Sequence, residues 1–448
     1  MDSVDESLPT AIIGAGPIGL AAAAHLAELD VPFVIFERGE RAASAVREWG
    51  HVRLFTPWQY NIDEAARRLL DSSGWQAPAD DEAFPTGAEL VAEYLEPLAA
   101  HPAIAPHLRY GQTVTAVAHA YTSKHEAADR DLEPFAVHVR DSQGATTIVL
   151  ADYVIDASGS WGNPNPAGAN GLPVPGEREL ASHIAYRIPD VLGNDRSRYA
   201  GKRVLVIGSG HSAMNALSSL VDLATTEGSE VHWALRRPSI EDALRACSGD
   251  GLTERALLSR DIHERAQSDA ITLHTGVRVD RFSDSAGGIV THAGDRELPA
   301  VDEIIVATGF RPDLAMLREL RLDLHPLFES PYALGSLIDP ANNACGTVPP
   351  HTVEKLAHPD ADFYIAGMKS YGRASTFLML TGYEQVRSIA CALAGDRDGA
   401  LEVRLSLPER GLCSACTAYL EEQDRLNACT CSDDEEPDAC CATEEPAA

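Results

Sequence analysis

The feature that most constrains the fold of this chain is a strand, a glycine-rich turn and a helix that occur twice. The first copy begins with an apolar segment at 10–13, passes through a G-A-G-P-I-G turn and an alanine-rich stretch, and ends in a second apolar segment at 32–36. The second begins at 203–207, passes through a G-S-G-H-S-A turn and ends in a strand at 231–235. Each copy predicts a βαβ unit. The fold class predicted is therefore α/β, with two Rossmann-like dinucleotide-binding domains.

The glycines of both turns indicate a bound pyrophosphate. The first glycine permits the turn, the second lets the backbone approach the phosphate, and the third allows close packing of the helix. The helix N-terminus adds partial positive charge. The second turn has Ala213 in the third position, a variant that the motif tolerates. The predicted dinucleotide-binding residues are Gly14, Gly16 and Gly19 in the first turn, and Gly208, Ser209, Gly210, His211 and Ser212 in the second.

The residues after each second strand distinguish the two nucleotides. Glu37 can accept both hydroxyls of a ribose and would repel a 2′-phosphate, which favours FAD or NAD at the first turn. Arg38, the next residue, is assigned to the same site. At the second turn the strand is followed by Arg236 and Arg237, whose guanidinium groups would pair with a 2′-phosphate. The second turn is therefore predicted to bind NADPH.

A second repeated segment, an apolar strand ending in A-[ST]-G, closes each unit at 153–159 and 303–309. This order predicts that the NADPH-binding domain is inserted within the FAD-binding domain, with a glycine- and proline-rich crossing at 162–168. Beyond about residue 405 the helix and strand patterns fade, and the acidic sequence predicts a disordered tail. The predicted boundaries are 1–160 and 301–404 for the FAD-binding domain, 161–300 for the NADPH-binding domain and 405–448 for the tail.

The charge of the chain argues against several partners. With 36 Lys and Arg against 67 Asp and Glu, the formal net charge is −31. A surface this acidic disfavours nucleic acid and anionic membranes, since both are negatively charged. The apolar stretch at 11–27 contains three glycines and a proline, which indicates a buried strand–turn–helix and not a membrane span. The acidic N-terminus lacks the pattern of a secretory signal, so a cytoplasmic location with reduced cysteines is expected.

Together these motifs resemble the flavin-dependent, NADPH-using monooxygenases and the related disulfide reductases, over about residues 10–395. The resemblance implies FAD at the first turn. No cysteine lies between residues 30 and 160, and Cys247 stands alone in the second domain. Gly367 also lacks the following Asp that is usual in the reductases, so the monooxygenase branch is favoured. The further cofactor-binding residues implied by the resemblance are Trp49, Arg53, Thr56, Gly159, Gly309 and Gly367.

Several other residues have open roles. His183 falls near the histidine of a fingerprint typical of the monooxygenase branch, but the spacing differs and the phenylalanine is absent. It is either a hydrogen-bonded linker residue or one that gates the cofactor. Asn61, Lys369, Tyr371 and Arg373 are candidates for a substrate cleft, and no side chain is assigned a catalytic role.

The cysteines are concentrated in the tail, which from residue 413 onward has ten acidic residues and one Arg. Thiolates at such spacings bind soft metals and metalloids. Capture of a thiophilic ion, a structural zinc site and a tail without function all stay open. The candidate ligands are Cys413, Cys416, Cys429, Cys431, Cys440 and Cys441.

Three segments, at 188–193, 208–213 and 368–373, more particularly resemble flavoproteins encoded in arsenic-resistance gene clusters. The sequence therefore predicts an enzyme in which NADPH reduces FAD and O₂ then oxidises a soft nucleophile, with a trivalent arsenical as the substrate suggested by the tail. The alternatives are a sulfur- or nitrogen-oxidising monooxygenase, an NADPH-dependent reductase using the tail thiols, and a non-catalytic metal- or redox-sensing flavoprotein. A homodimer is compatible with each.

Overall fold

The structure is a computed structural model that describes residues 7–126, 130–244, 253–340 and 348–405. The predicted tail and its metal ligands lie outside the described residues, as does Cys247. In chain order, the strands are β1 (Thr10–Ile13), β2 (Phe33–Phe36), β3 (Leu108–Arg109), β4 (Thr113–His119), β5 (Phe135–Arg140), β6 (Thr146–Ala151), β7 (Tyr153–Asp156), β8 (Ile184–Tyr186), β9 (Arg203–Ile207), β10 (Glu230–Ala234), β11 (Thr272–His274), β12 (Arg281–Ser285), β13 (Gly288–Ala293), β14 (Arg296–Glu297), β15 (Glu303–Val306) and β16 (Phe363–Ile365).

The α-helices are mostly short, and three of them carry the packing against the sheets. In chain order, they are α1 (Pro17–Glu28), α2 (Ser44–Glu48), α3 (Glu64–Ser72), α4 (Gly87–Leu90), α5 (Glu96–Ala99), α6 (Arg196–Tyr199), α7 (His211–Glu227), α8 (Ile240–Leu244), α9 (Thr253–Gln267), α10 (Tyr332–Gly335), α11 (Met379–Leu393) and α12 (Arg397–Leu401). Of the described helices, none combines the length and hydrophobicity that a membrane crossing requires.

The first parallel sheet has the strand order β16-β7-β1-β2-β3. Its central strand β1 is entirely buried, with Ile12 opposite Ile35 on one side and Ile155 on the other. Helix α1 covers one face and its alanines 21–24 have no exposed surface, because α11 packs over it. The antiparallel sheet β4-β5-β6 covers the other face. Both faces are therefore buried, as parallel sheets require.

The second parallel sheet has the order β11-β10-β9-β15-β8 and repeats this arrangement. Helices α7 and α9 pack on one face, and the antiparallel sheet β12-β13-β14 packs on the other. Because every strand of the second sheet lies between two segments of the first in the sequence, the second unit is an insertion. The predicted α/β class with two Rossmann-like units is confirmed.

The predicted boundary at residue 301 is wrong. It assigned the strand at 303–306 to the first domain, whereas β15 pairs with β9 and β8 in the second sheet. The chain returns to the first unit only after Gly309. Both crossings between the units run side by side there, since the N–H of Asn165 donates to the carbonyl of Gly309 at 2.9 Å and the N–H of Arg311 donates to Asn163 at 3.1 Å.

Candidate dinucleotide-binding sites

The first glycine turn connects β1 to α1, and each of its glycines faces a different environment. Gly14 has φ +100°, and a Cβ there would lie 2.9 Å from the carbonyl oxygen of Ala157. A Cβ on Gly19 would clash with the backbone of Gly14. By contrast, a Cβ on Gly16 would have no heavy atom within 4 Å. The outer glycines thus permit the turn and the close helix, while Gly16 faces an open cradle.

The second turn connects β9 to α7 and has the same cradle. Gly208 has φ +136° and is so close to Ala307 that a Cβ would clash with its carbonyl. A Cβ on Gly210 again meets no heavy atom within 4 Å. Ala213, which replaces the third glycine, is fully buried in the first turn of α7, and Ser209 and Ser212 are half-buried in and just after the glycine turn.

The helix that follows each turn has an N-terminus open to an anion. Gly16 precedes α1 and Gly210 precedes α7, and neither helix has a side-chain cap at this end. The first N–H groups of a helix need partners from outside it, and the helix dipole makes an anion a favourable one. The open cradle and the uncapped helix fit a pyrophosphate at both turns.

Beside the first turn lies Glu37, a buried carboxylate. It accepts hydrogen bonds from the N–H groups of Ala15 at 2.9 Å and Gly39 at 2.8 Å. A carboxylate offers about four lone-pair positions, so these contacts orient Glu37 and leave capacity for ribose hydroxyls. Arg38 is exposed and extends to the crossing, where a Cβ on Gly162 would lie 2.7 Å from its guanidinium.

Beside the second turn lie Arg236 and Arg237, both exposed. They follow β10 after Leu235, and β10 contacts the turn through the hydrogen bond from the Gly208 N–H to the Ala234 carbonyl at 3.3 Å. Neither guanidinium has a protein acceptor among the residues that the structure describes. Equivalent positions in the two units therefore carry a fixed carboxylate and two unpaired cations.

The segment after the first unit forms an ordered loop. Trp49 is half-buried and packs against Gly87, where a Cβ would lie 2.7 Å from its ring. Arg53 is exposed and donates to the carbonyl of Phe84 at 2.5 Å.

Thr56 and Asn61 hold the end of this loop together. The hydroxyl of Thr56 donates to Asn61 at 2.7 Å, and the amide of Asn61 donates to the carbonyl of Thr56. Asn61 is fully buried in this loop, and its candidate role in a substrate cleft stays a prediction.

Three glycines lie just after the strands β7, β15 and β16, and all have positive φ angles: +69° at Gly159, +91° at Gly309 and +71° at Gly367. Side chains rarely adopt this backbone conformation, which explains the glycine in each A-[ST]-G ending. A Cβ on Gly367 would also lie 2.9 Å from the side chain of Ile18. The turn after β16 is thereby held against the first helix.

A buried ion pair lies at the carboxyl edge of the first sheet. The ammonium of Lys369 lies 2.6 Å from a carboxylate oxygen of Asp156 and 3.1 Å from the hydroxyl of Ser158. Tyr371 is buried as well, whereas Arg373 pairs with Glu329 at the surface. The candidate roles of Lys369 and Tyr371 in a substrate cleft stay predictions, and no sequence motif indicated the ion pair.

A cleft of about 280 Å³ opens between the two units beside the second turn. The ring of Phe55, from the first unit, lies 5.4 Å from the ring of His211. The guanidinium of Arg255 lies 5.1 Å from the centre of the Phe55 ring. Burial, together with the charge of Arg255, lowers the pKa of His211 to about 3, so this imidazole is neutral at pH 7. The residues lining the cleft are Arg53, Leu54, Phe55, Asn215, Glu254, Leu257, Leu258 and Asp261.

His183 lies at the start of the edge strand β8, half-exposed. Its Nδ1 atom is 3.3 Å from a carboxylate oxygen of Glu303, which also accepts from Arg198 at 2.6 Å. These contacts favour the linker interpretation of His183. Within the described ranges, no group of three His, Cys, Asp or Glu side chains has the arrangement of a metal site.

The two nested units with paired glycine turns define a two-domain flavoprotein oxidoreductase. The sequence matches the pyridine nucleotide-disulphide oxidoreductase family over residues 11–329, so the chain belongs to that family. Indole-3-pyruvate monooxygenase YUCCA1 of Oryza sativa subsp. japonica is 30% identical over 203 residues, which are 45% of this chain and 42% of that protein. The chain thus covers less than half the length of this relative.

Two solved structures have the same fold. The bacillithiol disulfide reductase Bdr of Bacillus cereus superposes with a TM-score of 0.64 at 19% identity, covering 87% of this chain and 99% of that one. DfoA of Erwinia amylovora, a cadaverine monooxygenase bound to FAD, superposes with a TM-score of 0.62 at 14% identity, covering 92% and 99%. At these identities the likeness establishes the fold alone.

Proposed function

We propose that this protein is an FAD- and NADPH-dependent monooxygenase that oxidises a soft nucleophile. The observation that carries the proposal is the pair of open cradles at Gly16 and Gly210, with Glu37 beside one and Arg236 beside the other. These two cradles, one beside a carboxylate and one beside a guanidinium, suit two nucleotides of different charge. A single-dinucleotide enzyme would not require the second cradle.

The residues of this chain would bind and orient both nucleotides. FAD held at the first turn would supply acceptance of a hydride from NADPH and activation of O₂. In the overall reaction one oxygen atom would go to the substrate and the other would leave as water, with the hydride of NADPH supplying two electrons and the solvent supplying one proton. The first turn and Glu37 would hold FAD, while the second turn, Arg236 and Arg237 would hold NADPH. His211 stays neutral beside the second turn and so adds no positive charge there.

The cleft between the units is the candidate entry for the substrate. Its apolar part comes from Leu54, Phe55 and two leucines of α9, and its carboxylates are Glu254 and Asp261. Asp261 pairs with Arg265 at 2.8 Å, and the guanidinium of Arg255 lies over the ring of Phe55. The lining therefore combines an apolar surface with charges of both signs, which suits a small molecule.

A trivalent arsenical is the oxygen acceptor that we favour. This choice rests on the resemblance of the segments at 188–193, 208–213 and 368–373 and on the six tail cysteines, which lie outside the described residues. A thiol-rich tail could capture a thiophilic ion and deliver it for oxidation to the pentavalent state. The cytoplasmic location and the homodimer are likewise predictions from sequence.

The test compares NADPH oxidation by the purified protein with and without O₂, in the presence and absence of arsenite or methylarsenite. We expect bound flavin, NADPH consumption that requires O₂, and a pentavalent product in proportion to the NADPH consumed. NADPH oxidation that depends on the metalloid but does not require O₂ would instead indicate a reductase. Flavin binding without any turnover would indicate a sensor.

The role of the tail is tested by truncation after residue 408. The shortened protein should bind FAD and oxidise NADPH as before, while its turnover of methylarsenite falls. Replacing the six tail cysteines with serine in the full chain is the matched control, because it keeps the acidic tail and removes only the thiols. Equal turnover of methylarsenite by all three proteins would contradict the capture role.

A further inference from the structure

The ion pair between Lys369 and Asp156 is unusual in its burial. Lys369 is 1% exposed and Asp156 is fully buried, and both carboxylate oxygens are engaged. One accepts from the ammonium at 2.6 Å, and the other accepts from the hydroxyl of Ser158 at 2.6 Å and from its N–H at 3.1 Å. Removing two charges from water costs several kcal/mol per ion, and their attraction often does no more than offset it. Stability alone is therefore a weak reason for this pair.

The position of the pair points to the first nucleotide site. Asp156 is the last residue of β7 and lies in register with Ile13, the last residue of β1. Gly14 follows at once, and its Cα is so close to Ala157 that a Cβ would lie 2.9 Å from the Ala157 carbonyl. The end of β7 that carries Asp156 therefore lies beside the first glycine turn, at the carboxyl edge where α/β sheets bind their ligands.

The strand order also shows on which side of the first glycine turn the ion pair lies. In the order β16-β7-β1-β2, Glu37 follows β2 on one side of the turn, while Asp156 and Lys369 follow β7 and β16 on the other. A dinucleotide whose ribose contacts Glu37 and whose pyrophosphate lies at the turn extends its other half toward β7. For FAD, that half carries the flavin.

The ammonium of Lys369 has capacity for another acceptor. An ammonium donates three hydrogen bonds, and among the described residues Lys369 has two acceptors, Asp156 and Ser158. Asp156 and Ser158 fix the direction of the long side chain, so that the charge has a defined position.

We propose that Lys369 and Asp156 are positioning residues that set the reduction potential of the bound flavin. The ammonium favours the electron density that a flavin gains on reduction, and the carboxylate opposes it, so that the pair balances the two oxidation states. This proposal rests on the proposed function only in requiring FAD at the first turn. It does not depend on the oxygen acceptor or on the tail.

The test is the reduction potential of the flavin in two single variants, measured by spectral titration against a reference dye. Lys369→Met leaves a buried carboxylate and should lower the potential, whereas Asp156→Asn leaves a buried cation and should raise it. We expect at least a tenfold change in the reduction equilibrium in each direction, which is about 30 mV for a two-electron couple. The double variant Lys369→Met/Asp156→Asn should lie between the two.

The buried pair of Arg130 and Asp360 provides the matched control. Its two hydrogen bonds of 2.9 Å join the turn between β4 and β5 to the segment before β16. Arg130→Met should destabilise the fold without moving the potential. If one single variant fails to fold, the direction of the shift in the other decides.

Two outcomes would overturn the proposal: potential shifts of the same sign in both single variants, or no shift in either. An ion pair that only stabilises the fold would not shift the reduction potential in opposite directions. A wild-type protein that binds no flavin would overturn the proposed function as well. A wild-type protein that binds flavin and turns over as expected, with unshifted variants, would overturn this inference alone.

Discussion

The two glycine turns of this chain have nearly the same backbone and opposite surroundings. Gly16 and Gly210 both face open space, and both precede an uncapped helix. The strand beside the first turn is followed by Glu37, which two backbone N–H groups hold in place, while the strand beside the second is followed by two exposed arginines. This difference supports the proposal that the two cradles bind pyrophosphate alike, and that one or two residues beyond the neighbouring strand select the nucleotide.

The third position of each turn shows how far the resemblance extends. A Cβ on Gly19 would clash with the carbonyl of Gly14, whereas Ala213 carries a Cβ at the equivalent position and is fully buried. Helix α7 therefore packs less closely on its turn than α1 does. The second glycine is the position at which both turns are equally open, and it is where the comparison is best tested.

The largest effect is expected from Gly16→Ala. The methyl group has room in the free chain, so the protein should fold, but it would occupy the space into which the pyrophosphate must fit. We expect flavin content to fall to background and all NADPH oxidation to be lost. The measurement is the flavin absorbance of the purified variant, with circular dichroism as the control for folding. Full flavin content would contradict the cradle.

The equivalent change in the second turn, Gly210→Ala, should separate the two sites. The added methyl group again meets no protein atom within 4 Å. Flavin content should equal that of the wild type, while the KM for NADPH rises by at least tenfold. Steady-state kinetics with varied NADPH provides the measurement. Loss of flavin from this variant would show that the turns do not act separately.

Cofactor selectivity should change with Arg236→Ala. Loss of a charge-assisted hydrogen bond costs about 1.5–3 kcal/mol, or roughly a 10- to 100-fold rise in the KM for NADPH. NADH has no 2′-phosphate, so its KM should change little. Arg196→Ala, which removes an exposed arginine from the same unit, is the control. Equal effects of Arg236→Ala on both nucleotides would argue against the phosphate contact.

The smallest effect concerns the pH dependence of stability in the second unit. His232 and His274 are buried side by side with ring nitrogens 3.2 Å apart, and burial, with the neighbouring His232 and Arg296, lowers the pKa of His274 to about 4. Unfolded histidine binds a proton near pH 6.5. As the pH falls from about 6.5 to 4, the unfolded state therefore binds more protons and stability is lost.

His274→Gln removes one of these titrating groups. The thermal midpoint of the variant should fall less steeply than that of the wild type between pH 6.5 and pH 4, by a few degrees. Above pH 6.5 the two proteins should show parallel curves. Identical slopes below pH 6.5 would rule out this histidine as a source of acid sensitivity.

Local patterns predicted much of this fold. The strands and turns of both βαβ units lie where the apolar runs and glycines indicated, because these signals depend on neighbouring residues in the sequence. The error at residue 301 has a different origin. An apolar strand ending in A-[ST]-G is compatible with either sheet, and only pairing with β9, about a hundred residues earlier, decides which one.

The candidate site was harder to predict than the fold. The side-chain amide of Asn61 forms its hydrogen bonds with Thr56 and Pro57 inside its own loop, and no local pattern indicated these contacts. The contact of Lys369 with Asp156 joins residues 213 positions apart, and no motif contains both. Such contacts depend on tertiary packing, which periodicity and spacing do not encode.

Anaerobic titration of the purified protein with NADPH tests whether one chain binds two nucleotides and passes a hydride between them. We predict that the visible flavin band bleaches fully with one equivalent of NADPH per flavin, and returns when air is admitted. NADH should bleach it far less readily. A flavin band that NADPH leaves unchanged, or a protein that binds no flavin, would contradict the account.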